Sequence, residues 1–262
     1  MYAIIGGSGL AKLADLQLKR REVMRTPYGD PSCALSFGAL DGADVVFLAR
    51  HGYGHTIAPQ DINYRANIWA LREAGVAGIV SVATVGGIRQ GLQPGDLVVP
   101  DQIIDYTVGR ASTFFEGPDS PVTHIDFTLP YSDDVRSRIA RCAAALGERV
   151  IAGATYGCTQ GPRLETAAEI RRMERDGCDL VGMTGMPEAA LARELDLPYA
   201  TIAVVANHAA GKGDSATAIS IERIGKVLDT AMIRVRRILA AFAKLPASPA
   251  VARASTDEET KR

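Results

Sequence analysis

Two apolar runs that each end on a polar residue constrain this chain most strongly. The first leads into Gly182-Met183-Thr184-Gly185-Met186-Pro187-Glu188, which predicts a strand, a turn and a helix whose first turn holds Pro187 and Glu188. The second run, Tyr199 to Ala206, predicts a strand that ends at Asn207. Taken alone, Thr184 is typical of a helix N-cap and Asn207 of a turn. Taken together, they also fit a ligand site.

Alternating strands and helices predict an α/β fold with a mixed, mostly parallel, twisted sheet that is covered by helices on both faces. Apolar runs predict the strands Ala3–Ile5, Val45–Ala49, Gly78–Val82, Asp96–Pro100, Ala152–Tyr156, Leu180–Met183 and Tyr199–Ala206. Helical periodicity predicts the helices Asn63–Ala74, Thr166–Asp176, Pro187–Leu195 and Ser220–Ala243. We expect one domain over residues 1–244, a disordered tail over 245–262, and an active site at the carboxyl ends of the strands.

Charge and cysteine content exclude several classes of function. The 262 residues carry 29 Lys and Arg against 30 Asp and Glu, so no basic surface for nucleic acid or an acidic membrane is expected. The four cysteines form no C-x-x-C pair, and no run approaches the ~18–20 apolar residues that span a bilayer. The N-terminus leads directly into a strand, so we expect a cytoplasmic protein. A long aromatic segment, Ile104 to Tyr131, is expected to be functional or to form an interface.

Four further turns carry residue types that bind anions or bases. Gly6-Gly7-Ser8-Gly9 follows the first strand, and Arg50-His51-Gly52 follows an apolar strand. The pattern at 80–88 predicts a strand that enters a glycine-rich turn, where the N–H groups of Ala83 and Thr84 are available. At 160–166, Glu165 stands where a loop enters a helix, a position that is also typical of a helix cap.

Two interpretations of Arg50 and His51 stay open at this point. In one, Arg50 pairs with an acid and His51 is a surface turn residue. In the other, Arg50 is a phosphate ligand, and its replacement by alanine weakens phosphate binding while sparing the fold.

In sequence order, these segments resemble the purine nucleoside phosphorylase and methylthioadenosine phosphorylase family, trimeric branch, over residues 1 to about 243. The matching motifs are Gly6-Gly7-Ser8-Gly9-Leu10, Arg50-His51-Gly52, Asn63-Tyr64-Arg65-Ala66-Asn67-Ile68-Trp69, Gln93-Pro94-Gly95-Asp96, Gly161-Pro162-Arg163 and Met183-Thr184-x-x-Pro187-Glu188. The resemblance implies that phosphate, a co-substrate, is held by Ser8, Arg50, His51, Ala83, Thr84 and Thr184. It implies that Met183 packs beneath the ribose and that no metal or organic cofactor is needed.

Base recognition sets this chain apart from the adenine-specific members. Those members resemble one another in carrying aspartate at the position of Asn207 and again two residues later, where this chain has Ala209. The Asn207 amide suits the O6 and N7–H of a 6-oxopurine, and the Glu165 carboxylate suits its N1–H. We therefore expect Asn207, Glu165 and His51 to act in catalysis, with His208 and Ala209 completing the substrate pocket.

The residue expected to face the 5' end of the sugar favours one subfamily. Members that prefer a 5'-hydroxyl place a histidine before the final helix, where this chain has Ile219. An apolar wall there fits a methylthio group, so the chain is most similar to S-methyl-5'-thioinosine phosphorylases. The His124 region matches the part of the family that reaches into a neighbouring site, which implies a homotrimer. The alternatives are a general inosine and guanosine phosphorylase, a methylthioadenosine phosphorylase, a water-dependent nucleosidase and a non-catalytic binding protein.

Overall fold

Eleven strands form one mixed sheet in the computed structural model, which describes residues 1–118 and 120–246. They are β1 (Tyr2–Gly6), β2 (Leu16–Glu22), β3 (Leu35–Leu40), β4 (Ala43–Ala49), β5 (Ile79–Gly87), β6 (Leu97–Val99), β7 (Gln102–Asp105), β8 (Val150–Ala152), β9 (Thr155–Cys158), β10 (Leu180–Gly182) and β11 (Tyr199–His208). Six strand pairings are parallel (β1–β4, β1–β5, β9–β10, β5–β11, β6–β8, β7–β9), and four are antiparallel. The expected mixed, mostly parallel sheet is confirmed.

Strand β5 lies at the centre, and one of its edges is interrupted. Along one edge, β11 pairs with β5 from Ile79 to Gly87. Along the other edge, β1 pairs only as far as Ser81, and β10 joins only at Gly86. Residues 82–85 therefore have no strand partner on that side. Backbone N–H and C=O groups that point into such a gap need another partner, from a side chain, water or a ligand.

Five α-helices in the described residues cover the two faces of the sheet: α1 (Tyr64–Glu73), α2 (Asp133–Ala145), α3 (Ala167–Arg175), α4 (Glu188–Glu194) and α5 (Ile221–Ala243). Ile5 points to the face that α1 and α4 cover, where it shares a core with Ile68 and Leu191. Its neighbour Ile4 points to the opposite face, which α2 and α5 cover. Successive residues of a strand face opposite sides, so a fully apolar strand such as β1 is buried on both. This agrees with the predicted helix layers.

Helix starts follow the expected capping chemistry. The side chains of Asn63, Ser132 and Ser220 accept hydrogen bonds from the backbone at the starts of α1, α2 and α5. Thr166 forms a reciprocal capping box with Glu169 at the start of α3. Thr166 thus caps the helix, and its neighbour Glu165 is left outside it.

Several local predictions were wrong. The strand expected over Ala152–Tyr156 is two strands, β8 and β9, because Gly153 adopts a left-handed φ of 85° between them. The glycine-rich turn expected near Ala83 and Thr84 does not form, because β5 continues to Gly87. Pro187 lies at the cap position of α4 and not in its first turn. Strands β2, β3 and β7 and helix α2 were not predicted.

Most of the aromatic segment after β7 has no regular secondary structure until α2 begins at Asp133. Of the predicted tail over 245–262, only Leu245 and Pro246 belong to the described residues. Among the helices of residues 1–118 and 120–246, none combines the length and apolar character required to cross a bilayer.

Candidate active site

The gap in the edge of β5 opens onto a cavity of about 180 Å³ at the ends of four other strands. It is bordered by the turns after β1, β4 and β10 and by the end of β11. Eleven of the thirteen predicted site residues line this one cavity, namely Ser8, Arg50, His51, Ala83, Thr84, Glu165, Met183, Thr184, Asn207, Ala209 and Ile219. The topology thus brings together residues that lie up to 211 positions apart in the sequence.

Arg50 is the most deeply buried charge at this cavity. Its guanidinium donates from Nε and Nη2 to both carboxylate oxygens of Glu188, at 2.7 and 2.9 Å, and from Nη2 to Ser81 Oγ at 2.6 Å. Nη1 donates to Val82 O at 3.1 Å. Of its five N–H groups, one on Nη1 is left after these four bonds to the described residues.

The pair is sealed from water, with 1% of the Arg50 side chain and none of the Glu188 side chain exposed. Burial disfavours the charged guanidinium, but the Glu188 carboxylate outweighs this and raises the pKa of Arg50 above its ordinary value. The first interpretation of Arg50, pairing with an acid, is therefore confirmed. It does not exclude a phosphate contact, because Arg50 also lines the cavity.

His51 is 7% exposed, so the idea that it is a surface turn residue was wrong. Its Nδ1 lies 2.8 Å from Ile57 O, a carbonyl that can only accept, and we therefore assign the proton to Nδ1. Burial, aided by the nearby Arg50 charge, lowers the pKa of His51 to about 4. At neutral pH the ring is uncharged, and its Nε2 carries a free lone pair.

The glycine-rich turn after β1 is fixed at two points. A side chain at Gly6 would meet Leu10 O at 2.1 Å, so this position accepts only glycine. The Thr84 hydroxyl donates to Ser8 O at 2.9 Å, which ties the turn to β5 within the gap. The Ser8 hydroxyl lies 3.4 Å from His55 Nε2.

Asn207 is placed by a β-bulge. Val205 pairs with Val85 and Asn207 pairs with Gly86, so Ala206 is an extra residue in β11. The Asn207 amide donates from Nδ2 to His208 O at 2.6 Å, which fixes the orientation of the amide plane. Asn207 is thus a strand residue and not a turn residue.

Glu165 stands across the cavity on the loop that precedes α3. Its Oε1 accepts a hydrogen bond of 2.7 Å from the Thr159 hydroxyl. The same carboxylate also lines a neighbouring cavity of about 630 Å³, formed by 105–108, 159–161 and the outer face of α3. Glu165 therefore forms part of the wall between the two cavities.

The remaining wall is apolar. Met183 follows β10, and its Sδ packs so closely on Gly161 that a side chain there would meet it at 2.6 Å. Ile219 and Ile224 close the cavity from the segment at and before the start of α5, and Ala209 closes it from the end of β11. Ala209 is 1% exposed.

Two of the predicted residues lie elsewhere. The His208 ring points away from the cavity, between Asp214 Oδ1 at 2.6 Å and Leu92 O at 3.1 Å. His124 is exposed on the segment before α2 and lines neither of these two cavities.

Sequence reasoning missed the supports behind this cavity. The sequence pattern places Glu188 only in the first turn of a helix, yet Glu188 accepts hydrogen bonds from Arg50 and, at 2.7 Å, from the Tyr199 hydroxyl. A carboxylate directly after the turn at Thr184 was the one available signal for an Arg50 partner.

Because the Arg50–Glu188 pair is buried, Arg50→Met will not spare the fold. Removing the cation leaves an uncompensated buried carboxylate, which costs about 3–5 kcal/mol in the free energy of unfolding. Urea denaturation of the wild type and of the variant measures this loss. The matched variants are Glu188→Gln and the double variant Arg50→Met/Glu188→Gln. We expect the two effects to be less than additive by about 0.5–3 kcal/mol, and strict additivity would contradict the coupling.

The lowered pKa of His51 predicts acid sensitivity. Between pH 6.5 and about 4, the unfolded chain binds a proton at residue 51 that the folded chain does not. The contribution of His51 to stability is therefore present above pH 6.5 and is lost as the pH falls towards 4. Denaturation curves across this range should show a steeper acid loss in the wild type than in His51→Asn. Equal slopes would show that the ring is not held neutral.

Comparison with known proteins agrees with this geometry. Residues 1–244 match the family model described as the Phosphorylase superfamily. A probable S-methyl-5'-thioinosine phosphorylase of Pseudomonas syringae pv. tomato is 51% identical over 240 residues, covering 92% of this chain and 97% of that protein. A 6-oxopurine nucleoside phosphorylase of Pyrococcus furiosus is 50% identical over 214 residues, covering 80% of each.

Among solved structures, methylthioadenosine phosphorylase from Schistosoma mansoni in complex with adenine superposes with a TM-score of 0.88 at 31% identity. That alignment covers 92% of this chain and 90% of the Schistosoma chain. The chain therefore belongs to the phosphorylase superfamily, as its sequence motifs predicted.

Proposed function

We propose that this chain is a purine nucleoside phosphorylase that converts S-methyl-5'-thioinosine and phosphate into hypoxanthine and 5-methylthioribose 1-phosphate, a purine salvage reaction. The observation that carries the proposal is a single cavity where anion donors, an amide opposite a carboxylate, and an apolar wall meet. Relatives with this name that are 51–55% identical support it further.

The phosphate end of the cavity is the gap in β5. Hydrogen-bond donors for phosphate come from backbone N–H groups near Ala83 and Thr84, from the Ser8 and Thr184 hydroxyls and from the remaining N–H of Arg50. The nearby Glu188 carboxylate does not repel the phosphate strongly, because its charge is compensated by Arg50. Neutral His51 offers its Nε2 lone pair to a hydroxyl of the phosphate. A dianion held here is positioned to attack the anomeric carbon as the bond to the base breaks.

The base end lies about two residues, or roughly 7 Å, farther along β5, where Asn207 pairs with Gly86. As the glycosidic bond breaks, its electron pair moves onto the purine, and N7 takes a proton from solvent. Asn207 accepts from this N7–H and donates to O6, while Glu165 accepts from N1–H. Adenine reverses the polarity of N1 and of the 6-substituent, and unpaired buried groups can discriminate by about 10⁴-fold.

The 5' end meets Ile219 and its apolar neighbours. This surface suits a thioether, whereas a 5'-hydroxyl would lose its hydrogen bonds to water at a cost of about 1–3 kcal/mol.

We further propose a cytoplasmic homotrimer in which the His124 segment completes a neighbouring site, with phosphate as co-substrate and no organic cofactor or metal. Three exposed apolar residues on this segment, Val108, Val122 and Leu129, support an interface there. The four free thiols suit a reducing compartment.

A second candidate is a general 6-oxopurine nucleoside phosphorylase. The Pyrococcus relative, which carries that name, favours it at 50% identity. Both candidates share the phosphate and base sites and differ at the 5' pocket. A methylthioadenosine phosphorylase is a weaker candidate, because Asn207 and Ala209 stand where adenine-specific members carry acids.

A four-nucleoside assay tests the function. Methylthioinosine, inosine, methylthioadenosine and adenosine are supplied with and without phosphate, and release of the free base is measured. We expect strict phosphate dependence and a preference for methylthioinosine over inosine of about one to three orders of magnitude in kcat/KM. Base release without phosphate would indicate a nucleosidase.

The variant Ile219→His serves as the matched control for the 5' pocket. It supplies a polar partner for a 5'-hydroxyl, so the preference for methylthioinosine should shrink. Equal use of methylthioinosine and inosine by the wild type would favour the general 6-oxopurine enzyme instead.

Base choice gives a separate prediction. Asn207→Asp should move the ratio of methylthioadenosine to methylthioinosine turnover towards adenine. The shift should be partial, because a carboxylate cannot donate to His208 O and Ala209 supplies no second acid. Asn207→Ala is the control, and it should lower kcat/KM for both substrates together. A kcat/KM ratio that is unchanged in Asn207→Asp would contradict the assignment of Asn207 to the base.

A further inference from the structure

Arg110 lies in the irregular segment after β7, half-buried behind the cavity. Its Nη1 donates to Met183 O at 2.9 Å and to Met186 O at 2.6 Å. Its Nη2 donates to Gln160 O at 2.9 Å and to Thr159 O at 3.3 Å. One side chain thus holds carbonyl groups from two separate strand ends.

These two strand ends carry opposite halves of the candidate site. β9 and β10 are parallel neighbours, so the loop after one and the turn after the other emerge side by side. The loop after β9 leads to Glu165, at the base end. The turn after β10 carries Met183 and Thr184, at the ribose and phosphate end.

Arg110 is held by hydrogen bonds to neutral groups and not by an ion pair. Across residues 1–118 and 120–246, no carboxylate lies within 4.0 Å of its guanidinium nitrogens. All its partners are neutral, including Gln160 Oε1 at 3.3 Å from Nε and the Tyr64 hydroxyl at 3.2 Å from Nη1. A planar fork of donors is needed to reach carbonyls on both sides, which a lysine ammonium does not provide.

We propose that Arg110 is a positioning residue that fixes the distance between the base-binding loop and the ribose–phosphate turn. This inference rests on the proposed function of the cavity. A nucleoside is held by both elements at once, so its alignment depends on their separation. A free base or a free phosphate contacts only one of them, and its binding does not depend on that separation.

Arg110→Met tests the inference through this difference. We expect kcat/KM for methylthioinosine to fall about 10²-fold, the cost of misaligning a reacting pair by about 1 Å. The dissociation constants of hypoxanthine and of inorganic phosphate, each measured alone by calorimetry, should stay within about threefold of the wild type, because neither ligand spans both elements.

Arg65→Met is the matched control. Arg65 also anchors the segment after β7, through Thr113 O at 3.4 Å and through Glu116, but contacts neither strand end. Because this segment is proposed to complete a neighbouring site, we expect some loss of kcat/KM in Arg65→Met, but at least about tenfold less than in Arg110→Met. An equal loss in both variants would mean that Arg110 acts only by holding its own segment, and would overturn the inference.

Arg110→Lys keeps the charge and most of the stem, and it decides the matter if Arg110→Met fails to fold. We expect kcat/KM to fall at least tenfold, while hypoxanthine and inorganic phosphate, each measured alone, still bind as in the wild type. Full activity, or weakened binding of hypoxanthine and of phosphate, would overturn the inference. Failure of the proposed function looks different, because the wild type itself would then not consume methylthioinosine.

Discussion

The buried pair between Arg50 and Glu188 joins the strand ends and the helix start that surround the candidate site. The Arg50 backbone N–H donates to Gly6 O at the end of β1, and its guanidinium reaches Ser81 and Val82 of β5. Glu188 adds the first turn of α4 and, through the Tyr199 hydroxyl, the start of β11. A guanidinium satisfied on so many sides is held in one position, and the strand ends around it are held too. Rigid placement of donors is what the proposed phosphate site requires.

Much of the site was predictable because strand–turn signals are local. Ser8, Thr184 and Asn207 each follow an apolar run. Ser8 and Asn207 lie at the ends of strands that run parallel to β5, and the carboxyl ends of such strands meet at one edge of a sheet. Thr184 reaches the same place from the opposite direction, because β10 is antiparallel to β5. The partners of these residues were not predictable in the same way. Arg50 and Glu188 are 138 positions apart, and only the fold brings them together. The outward turn of His208 depends on Asp214 and Leu92, which local sequence patterns do not connect.

The fold class followed from the alternation of strands and helices. The prediction of some individual strands and helices failed, for physical reasons that differ from element to element. β2, Leu16–Glu22, is exposed along most of its length and reads as a charged loop. β3, Leu35–Leu40, is buried on both faces and so lacks the alternation that marks a half-buried strand. In α2, one charged residue, Arg138, interrupts the apolar stripe, although Ser132 followed by Asp133 and Asp134 is a typical helix start.

The gap along the edge of β5 also bears on how the protein avoids aggregation through strand pairing. Unpaired backbone groups at the outer edge of a sheet are templates for another chain and promote aggregation. Here the unpaired stretch, 82–85, lies inside the sheet, between β1 and β10 on one edge and along β11 on the other. The gap spans four residues of β5, which is shorter than a strand of typical length. Backbone hydrogen-bonding capacity is therefore kept available for a small solute, while the gap offers no outer edge to which a second chain could add a strand.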